Sequence, residues 1–190
     1  MPHGIVTAAL VSWLNAGTSS ADRGAPGVPA IEATTQEGDQ FMQAMTIGIT
    51  KASTGLDGIV WNILGQTYVP KQVSENSFSW HATFPPGTFV PPHIHPTQEE
   101  FILVQDGMLD LKLDGVWVQA KAGDLVRLPR GIPHGYFNKS DKPARALFWV
   151  SPTQKLEALF NRLHNLTDVA EIVRISAEHE VNFLPPEANE

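Results

Sequence analysis

The sequence predicts an all-β domain, a sandwich or a barrel, followed by two short helices. Three observations carry this. Short apolar runs, several with period-two alternation, follow one another closely between residues 59 and 150 and are separated by Gly, Pro and Asp-Gly signals. Nothing in that region alternates strand with helix, as a parallel doubly wound sheet requires. After Ser151 the apolar period lengthens to that of a helix.

At 190 residues the chain suits one well-cored domain. Residues 1–54 form an N-terminal extension and connector, 55–151 the β-domain, and 152–190 a helical tail. Ile5 to Leu14 is an apolar run of signal-peptide length, followed by the small residues Ser19-Ser20-Ala21, but the first twenty residues contain no Lys or Arg. The expectation is a cytoplasmic protein, with export as the alternative if residues 1–21 are a signal peptide. Residues 18 to 30 are rich in small and turn-forming residues and read as a connector. Phe41, Met42, Met45, Ile47 and Ile49 suggest a short helix passing into a strand.

In the β-domain, Ile59 to Leu64 suits a strand and is followed by Gly65 and a polar segment through Asn76. Phe78, Trp80, Ala82 and Phe84 then alternate with Ser77, Ser79, His81 and Thr83, which places His81 on the polar face. It has no partner at ligand spacing, so it reads as a pocket-lining or surface residue. Glu100 to Val104, Leu109 to Leu113, Val116 to Val118, Leu125 to Leu128, His134 to Phe137 and Ala144 to Val150 complete about eight strands. Asp114-Gly115 is a strong hairpin signal. Ser151-Pro152 resembles a helix start, with Leu156, Leu159, Phe160, Leu163 and Leu166 on one face. Asp168 with Glu171 three residues later resembles a second cap. Both helices are expected to pack outside the sheet or across a dimer, with His164 and His179 solvated.

A formal charge of −7 argues against phosphate-backbone binding, which needs clustered Lys and Arg, so the expected partner is a small molecule and not nucleic acid. No run approaches the roughly 18 apolar residues of a membrane span. With no cysteine, any metal must be held by nitrogen and oxygen ligands. His93 and His95, two apart, face the same side of a strand. Glu100, on the strand after the Pro96-to-Glu99 turn, supplies a carboxylate, and His134, behind a rigid Pro-Arg-Gly-Ile-Pro segment, can close the group from the opposite side. Such a set suits one divalent transition metal ion (Fe, Mn, Ni, Co or Zn) without selecting among them.

The two stretches together resemble the cupin superfamily. Its first motif, G-x5-H-x-H-x4-E-x6-G, is matched by Gly87, His93, His95, Glu100 and Gly107. Its second, G-x5-P-x-G-x2-H-x3-N, is matched by Gly123, Pro129, Gly131, His134 and Asn138. The resemblance implies His93, His95, Glu100 and His134 as metal ligands, with Glu99 the rival carboxylate. It implies a conical antiparallel β-barrel with the metal inside, commonly dimeric. The Pro-Pro-His-x-His-x4-Glu start and the apolar helical tail ending in Asn182-Phe183-Leu184-Pro185-Pro186 look like small single-barrel, quercetin dioxygenase-like cupins, and one copy of each motif disfavours a bicupin.

Three functions are then open. The first is a dioxygenase acting on a small phenolic or flavonol-type substrate, in which Glu100 both binds the metal and accepts a proton, with walls drawn from Phe78, Trp80, Phe84, Phe89, Trp117, Tyr136, Phe148 and Trp149. The second is a redox-neutral isomerase, lyase or decarboxylase using the same metal. The third is a non-enzymatic small-molecule-binding cupin. Fold does not choose among them.

Overall fold

A computed structural model describes residues 45–185. The expected signal-like run, the connector and the first part of the helix-to-strand segment lie outside these residues. Over residues 45–52 the chain forms neither helix nor strand, and Met45, Ile47 and Ile49 are exposed, because no neighbouring strand offers them a surface to cover. The segment is tied to the domain by polar contacts instead: Thr50 Oγ1 donates to Lys71 O at 2.8 Å, and Lys71 Nζ donates to the carbonyls of Lys51, Ala52 and Thr54.

Eleven strands follow: β1 (Trp61–Ile63), β2 (Gln66–Ser74), β3 (Ser77–Phe84), β4 (Phe89–Ile94), β5 (Glu99–Asp106), β6 (Met108–Leu113), β7 (Val116–Lys121), β8 (Leu125–Leu128), β9 (His134–Phe137), β10 (Ala144–Ser151) and β11 (Asn182–Phe183). They form two antiparallel sheets, in the orders β1-β2-β3-β10-β5-β8 and β11-β4-β9-β6-β7. The fold is therefore all-β, as expected. Two strands are additions to the expected set. β2 falls in the stretch that reads as a polar segment through Asn76; its Pro70 is accommodated because a register shift against β3 between Pro70 and Gln72 absorbs the missing donor, and pairing with β1 ends at Tyr68 on the other side. β11 is too short to show a period.

Alternation holds where one sheet face is buried. On β3, Phe78, Trp80, Ala82 and Phe84 point into the core, and His81 lies on the opposite face, as read from sequence. Trp80 stacks on Phe78 (4.9 Å between centroids) and on Phe148 (5.4 Å), which locks the ring in the barrel interior. Burial pushes the His81 pKa down, helped by Lys71 and Arg145, so this imidazole stays neutral on the outer face. The Asp114-Gly115 turn has positive φ at both residues (48° and 81°), the geometry of a two-residue hairpin.

The tail departs from expectation in two respects. Ser151 does not cap a helix: it still pairs with Glu99 in the sheet, and its hydroxyl donates to Asn76 O. Helix α1 (Leu156–Leu163) starts later, and helix α2 (Val169–Glu178) is capped as read, with Asp168 Oδ1 accepting from Glu171 N. Nor do the helices lie on the outside of a sheet. The buried face of α1 reaches the barrel interior, where Phe160 meets Trp61, Tyr68, Phe78 and Trp80 at 5.0 to 5.6 Å between centroids. The tail plugs the barrel. His164 is exposed, with Nδ1 accepting from Asn62 N, whereas His179 is half-buried and its Nδ1 donates to Ile175 O.

Candidate metal centre

Three segments bring four side chains to one point. β4 carries Pro91 and Pro92, which cannot donate to a ladder, and its pairing with β9 shifts register between Val90 and His93. Gly135 makes that bulge possible, since a Cβ there would lie 2.9 Å from Pro92 N. The bulge sets His93 directly opposite His134. His95 follows the end of β4, where its carbonyl accepts from Gly131 N at 2.8 Å, so the Pro129-to-Pro133 loop braces both histidine segments. Glu100 projects inward from β5, and Glu99 beside it projects outward to Arg130 (3.5 Å) because successive strand residues face opposite sides. The choice of Glu100 over Glu99 is thus what the alternation enforces.

Two placements differ from the sequence reading. His134 comes from the strand adjacent to His93 in the same sheet, and it is Glu100 that arrives from the other sheet. The Pro96-to-Gln98 turn passes between sheets instead of closing a hairpin, so sequence neighbours became spatial opposites.

All four side chains are buried, at 1 to 3% exposure, and their candidate ligand atoms lie within 4.8 Å of one another. Glu100 Oε2 is 3.2 Å from His95 Nε2 and 3.1 Å from His134 Nε2. That is the spacing of adjacent ligands of one ion with bonds of roughly 2.1 Å. Each imidazole is held from behind. His93 Nδ1 donates to Pro91 O and His134 Nδ1 donates to Ile132 O, both at 2.9 Å. His95 Nδ1 donates to Gln98 Oε1 at 3.1 Å, and the identity of that oxygen is fixed because Gln98 Nε2 donates to the Pro152 and Thr153 carbonyls.

With every Nδ1 committed as a donor, a neutral ring has no second proton, and all three Nε2 atoms carry lone pairs. His95 and His134 Nε2 nonetheless face a carboxylate, which is itself an acceptor. Either the rings take extra protons in a buried site or a cation stands between them. The unpartnered, buried Glu100 Oε1 is a further acceptor awaiting a donor or an ion. The donor set therefore fits a divalent metal ion, and the backing hydrogen bonds are those that orient metal-bound imidazoles. Burial drives the His93 pKa well below its ordinary value, with His134 and His95 adding to the effect, so that ring remains neutral. For Glu100, burial pushes the carboxyl up, but in the metal-free site hydrogen bonds donated by protonated His134 and His95 and their charges outweigh it and hold the carboxyl below its ordinary range.

The cluster opens on a cavity with about 40 Å³ of free room. Barrel residues Tyr68, Trp80 and Tyr136 line it together with Phe160 and Ser176 from the helices and Phe183 from β11. Of the eight aromatics expected as walls, Trp80 and Tyr136 serve. Phe89 stacks on Phe137 elsewhere, and Trp149 on Phe101. Tyr68, Gln98, Phe160, Ser176 and Phe183 escaped the sequence reading. Ser176 left a trace there, as a polar residue four positions after Ile172 on an apolar helix face. Burial, reinforced by the Glu100 charge, pushes both tyrosine hydroxyls up, so they stay protonated and act as donors.

Residues 80–150 match the family model described as a cupin domain. A putative germin-like protein 9-2 of Oryza sativa subsp. japonica is 41% identical over 69 residues, 34% of this chain and 32% of that one. The polyketide synthase CurC of Streptomyces cyaneus is 34% identical over 77 residues, 40% of this chain and 50% of that one. A quercetin 2,3-dioxygenase of Bacillus subtilis (strain 168) is 41% identical over 56 residues, 30% of this chain and 17% of that one. The chain thus spans half or less of the length of these relatives. In fold it is similar to an RmlC-like cupin from Shewanella frigidimarina, with a TM-score of 0.53 and 16% identity, covering 60% of this chain and 99% of that one. The matching domain model, the two-sheet antiparallel topology and the inward His/Glu cluster agree: residues 80–150 carry a cupin domain, folded as one cupin-like barrel among the described residues.

Proposed function

We propose that this protein is a metal-dependent cupin enzyme of the dioxygenase type, acting on a small phenolic compound, with His93, His95, Glu100 and His134 as metal ligands. The observation that carries this is the buried three-histidine, one-glutamate cluster opening on an aromatic cavity whose lining, among the described residues, contains no Lys or Arg. Phosphorylated or multiply anionic substrates need such cations and are disfavoured. A bound divalent ion would supply Lewis acidity toward a substrate oxygen. The remaining work falls to this chain. Glu100, ionised and with Oε1 unpartnered, is the group that accepts the phenolic proton. Tyr68 donates to Gln66 Oε1 at 2.6 Å, so its hydroxyl is engaged, while the protonated Tyr136 remains as a donor in the cavity. The α1 and α2 side chains exclude water.

Size narrows the substrate. The free room, about 40 Å³, is far below the roughly 150 Å³ that accepts a benzene ring. A single-ring phenol therefore needs the cavity to widen, and a flavonol needs a larger opening still. The test is oxygen uptake by protein loaded in turn with Fe, Mn, Ni or Co over a panel of catechols and flavonols. Uptake with at least one pair is expected, and its absence across the panel with metal content confirmed overturns the reading.

A redox-neutral reaction is the second reading, supported by the similarity to the Streptomyces polyketide synthase protein and by the same proton-accepting role for Glu100. Turnover under argon, undiminished by the absence of oxygen, distinguishes it from the first.

A further inference from the structure

Among the described residues, three buried side-chain polar atoms lack a hydrogen-bond partner: Trp80 Nε1, Glu100 Oε1 and Ser176 Oγ. All three residues line the one cavity at the metal cluster. Unpartnered buried polar atoms are rare and each calls for a reason. Their concentration at one cavity, in an interior where Gln66, Gln98, Asn138 and Thr153 all have partners, makes the reason local. For Glu100 the reason is the metal centre. The other two belong to different parts of the fold, β3 and α2, and neither can be explained that way: an indole N–H is a donor only, and a serine hydroxyl is a poor ligand beside three imidazoles.

Local alternatives are not taken. A helical serine usually returns its hydroxyl to the carbonyl four residues back, but Ser176 makes no such bond. It is wholly buried, on a face whose other buried members are Val169, Ile172 and Ile175. Alanine would fill that position without leaving a polar atom bare. Trp80 is held by its stacking on Phe78 and Phe148, so its N–H cannot rotate away to find a partner.

We propose that Trp80 Nε1 and Ser176 Oγ are the cavity's polar substrate-binding groups, hydrogen-bonding an oxygen of a small, mainly apolar ligand whose other end lies at the His93–His95–Glu100–His134 cluster. This rests on the cavity being the substrate site. The ligand carries an acceptor oxygen, phenolic or carbonyl, because the indole can only donate. It carries no second anionic group, because among the described residues no Lys or Arg lines the cavity. Ser176 makes the C-terminal helices part of the specificity pocket as well as its cover.

The test uses full-length, zinc-loaded, 15N-labelled protein titrated with catechol and with acetylacetone. The Trp80 indole signal is identified by its loss in Trp80→Phe. Saturable movement of that signal with at least one probe is expected. Trp80→Phe and Ser176→Ala should each weaken that probe's binding about three- to tenfold, the loss of one neutral hydrogen bond. Zinc content should be unchanged in both variants, and the melting temperature should not fall in Ser176→Ala, which removes only a buried polar atom that has no partner in the protein, whereas Trp80→Phe also leaves a small cavity and should lower it modestly. A merely structural role would leave the affinities alone. The proposal is overturned if neither probe moves the Trp80 signal, or if both variants bind the probes as the parent does. Failure of the dioxygenase reading looks different: probe binding with the Trp80 shift but no oxygen uptake removes that reading alone, and oxygen uptake with unchanged KM in both variants removes this proposal alone.

Discussion

The barrel wall of the cavity and the wall built by the C-terminal helices both rest on buried apolar side chains, yet they hold their polar groups in opposite ways. On the barrel side each candidate ligand imidazole is pinned by a second hydrogen bond, to Pro91 O, Gln98 Oε1 or Ile132 O. On the helical side Phe160 and Leu163 pack by shape alone, and the one polar atom of α2 at the cavity, Ser176 Oγ, is unpinned. A pinned group is ready for a partner of fixed geometry such as an ion. An unpinned group on a packed helix is ready for a partner that varies. Under the proposed function, that difference would put metal binding on the barrel and selectivity on the plug.

The comparison breaks most visibly if ligand and plug substitutions have the same effect. His95→Ala and His134→Ala should each lower metal content more than about 100-fold in affinity, beyond the 10- to 100-fold typical of outer partners, as read by elemental analysis after dialysis. Unchanged loading in both would remove the site. Phe160→Ala should cost about 3–5 kcal/mol of stability by opening a cavity among Trp61, Tyr68, Phe78 and Trp80, measured by denaturant unfolding, while metal affinity stays near that of the parent. Gln98→Leu falls between the two walls: it removes the acceptor that fixes the His95 tautomer, and metal affinity should drop about 10- to 100-fold without any ligand being lost.

Acid titration of the metal-free protein sharpens the barrel side. The folded-state pKa of His93 lies below its ordinary value of 6.5, so the unfolded chain takes up a proton that the native ring refuses. Stability should therefore fall as pH drops below about 6.5. Glu100, also depressed from 4.5, adds a second loss as pH falls below that value, because protonation then favours the unfolded chain. Melting temperatures across this range that stay flat would contradict both directions. The smallest effect is expected at Asp168→Ala, about 1 kcal/mol from the lost α2 cap, with metal content untouched.

Much of the barrel side was legible before any coordinates. The spacing of His93, His95, Glu100 and His134 holds because strand alternation is local and turns are marked by Gly and Pro, and the Asp168 cap needed only the next three residues. What escaped depended on contacts distant in sequence. Gln98 matters because the Pro152 and Thr153 carbonyls, more than fifty positions away, fix its amide. The serine cap at Ser151 failed because β10 retains that residue for a pairing with Glu99.

The sequence by itself determined the strand-rich class and the candidate four-side-chain set, which follow from period-two alternation and short-range turn chemistry, while the choice of Glu100 over Glu99 rested on the motif spacing of the cupin resemblance. Only the tertiary structure decided that Glu100 faces the histidines from the other sheet, that the tail plugs the barrel, and that Trp80 and Ser176 share a cavity. Those outcomes depend on which apolar face of α1 finds which opening in the barrel, and burial of that kind is non-directional, so no local pattern records it.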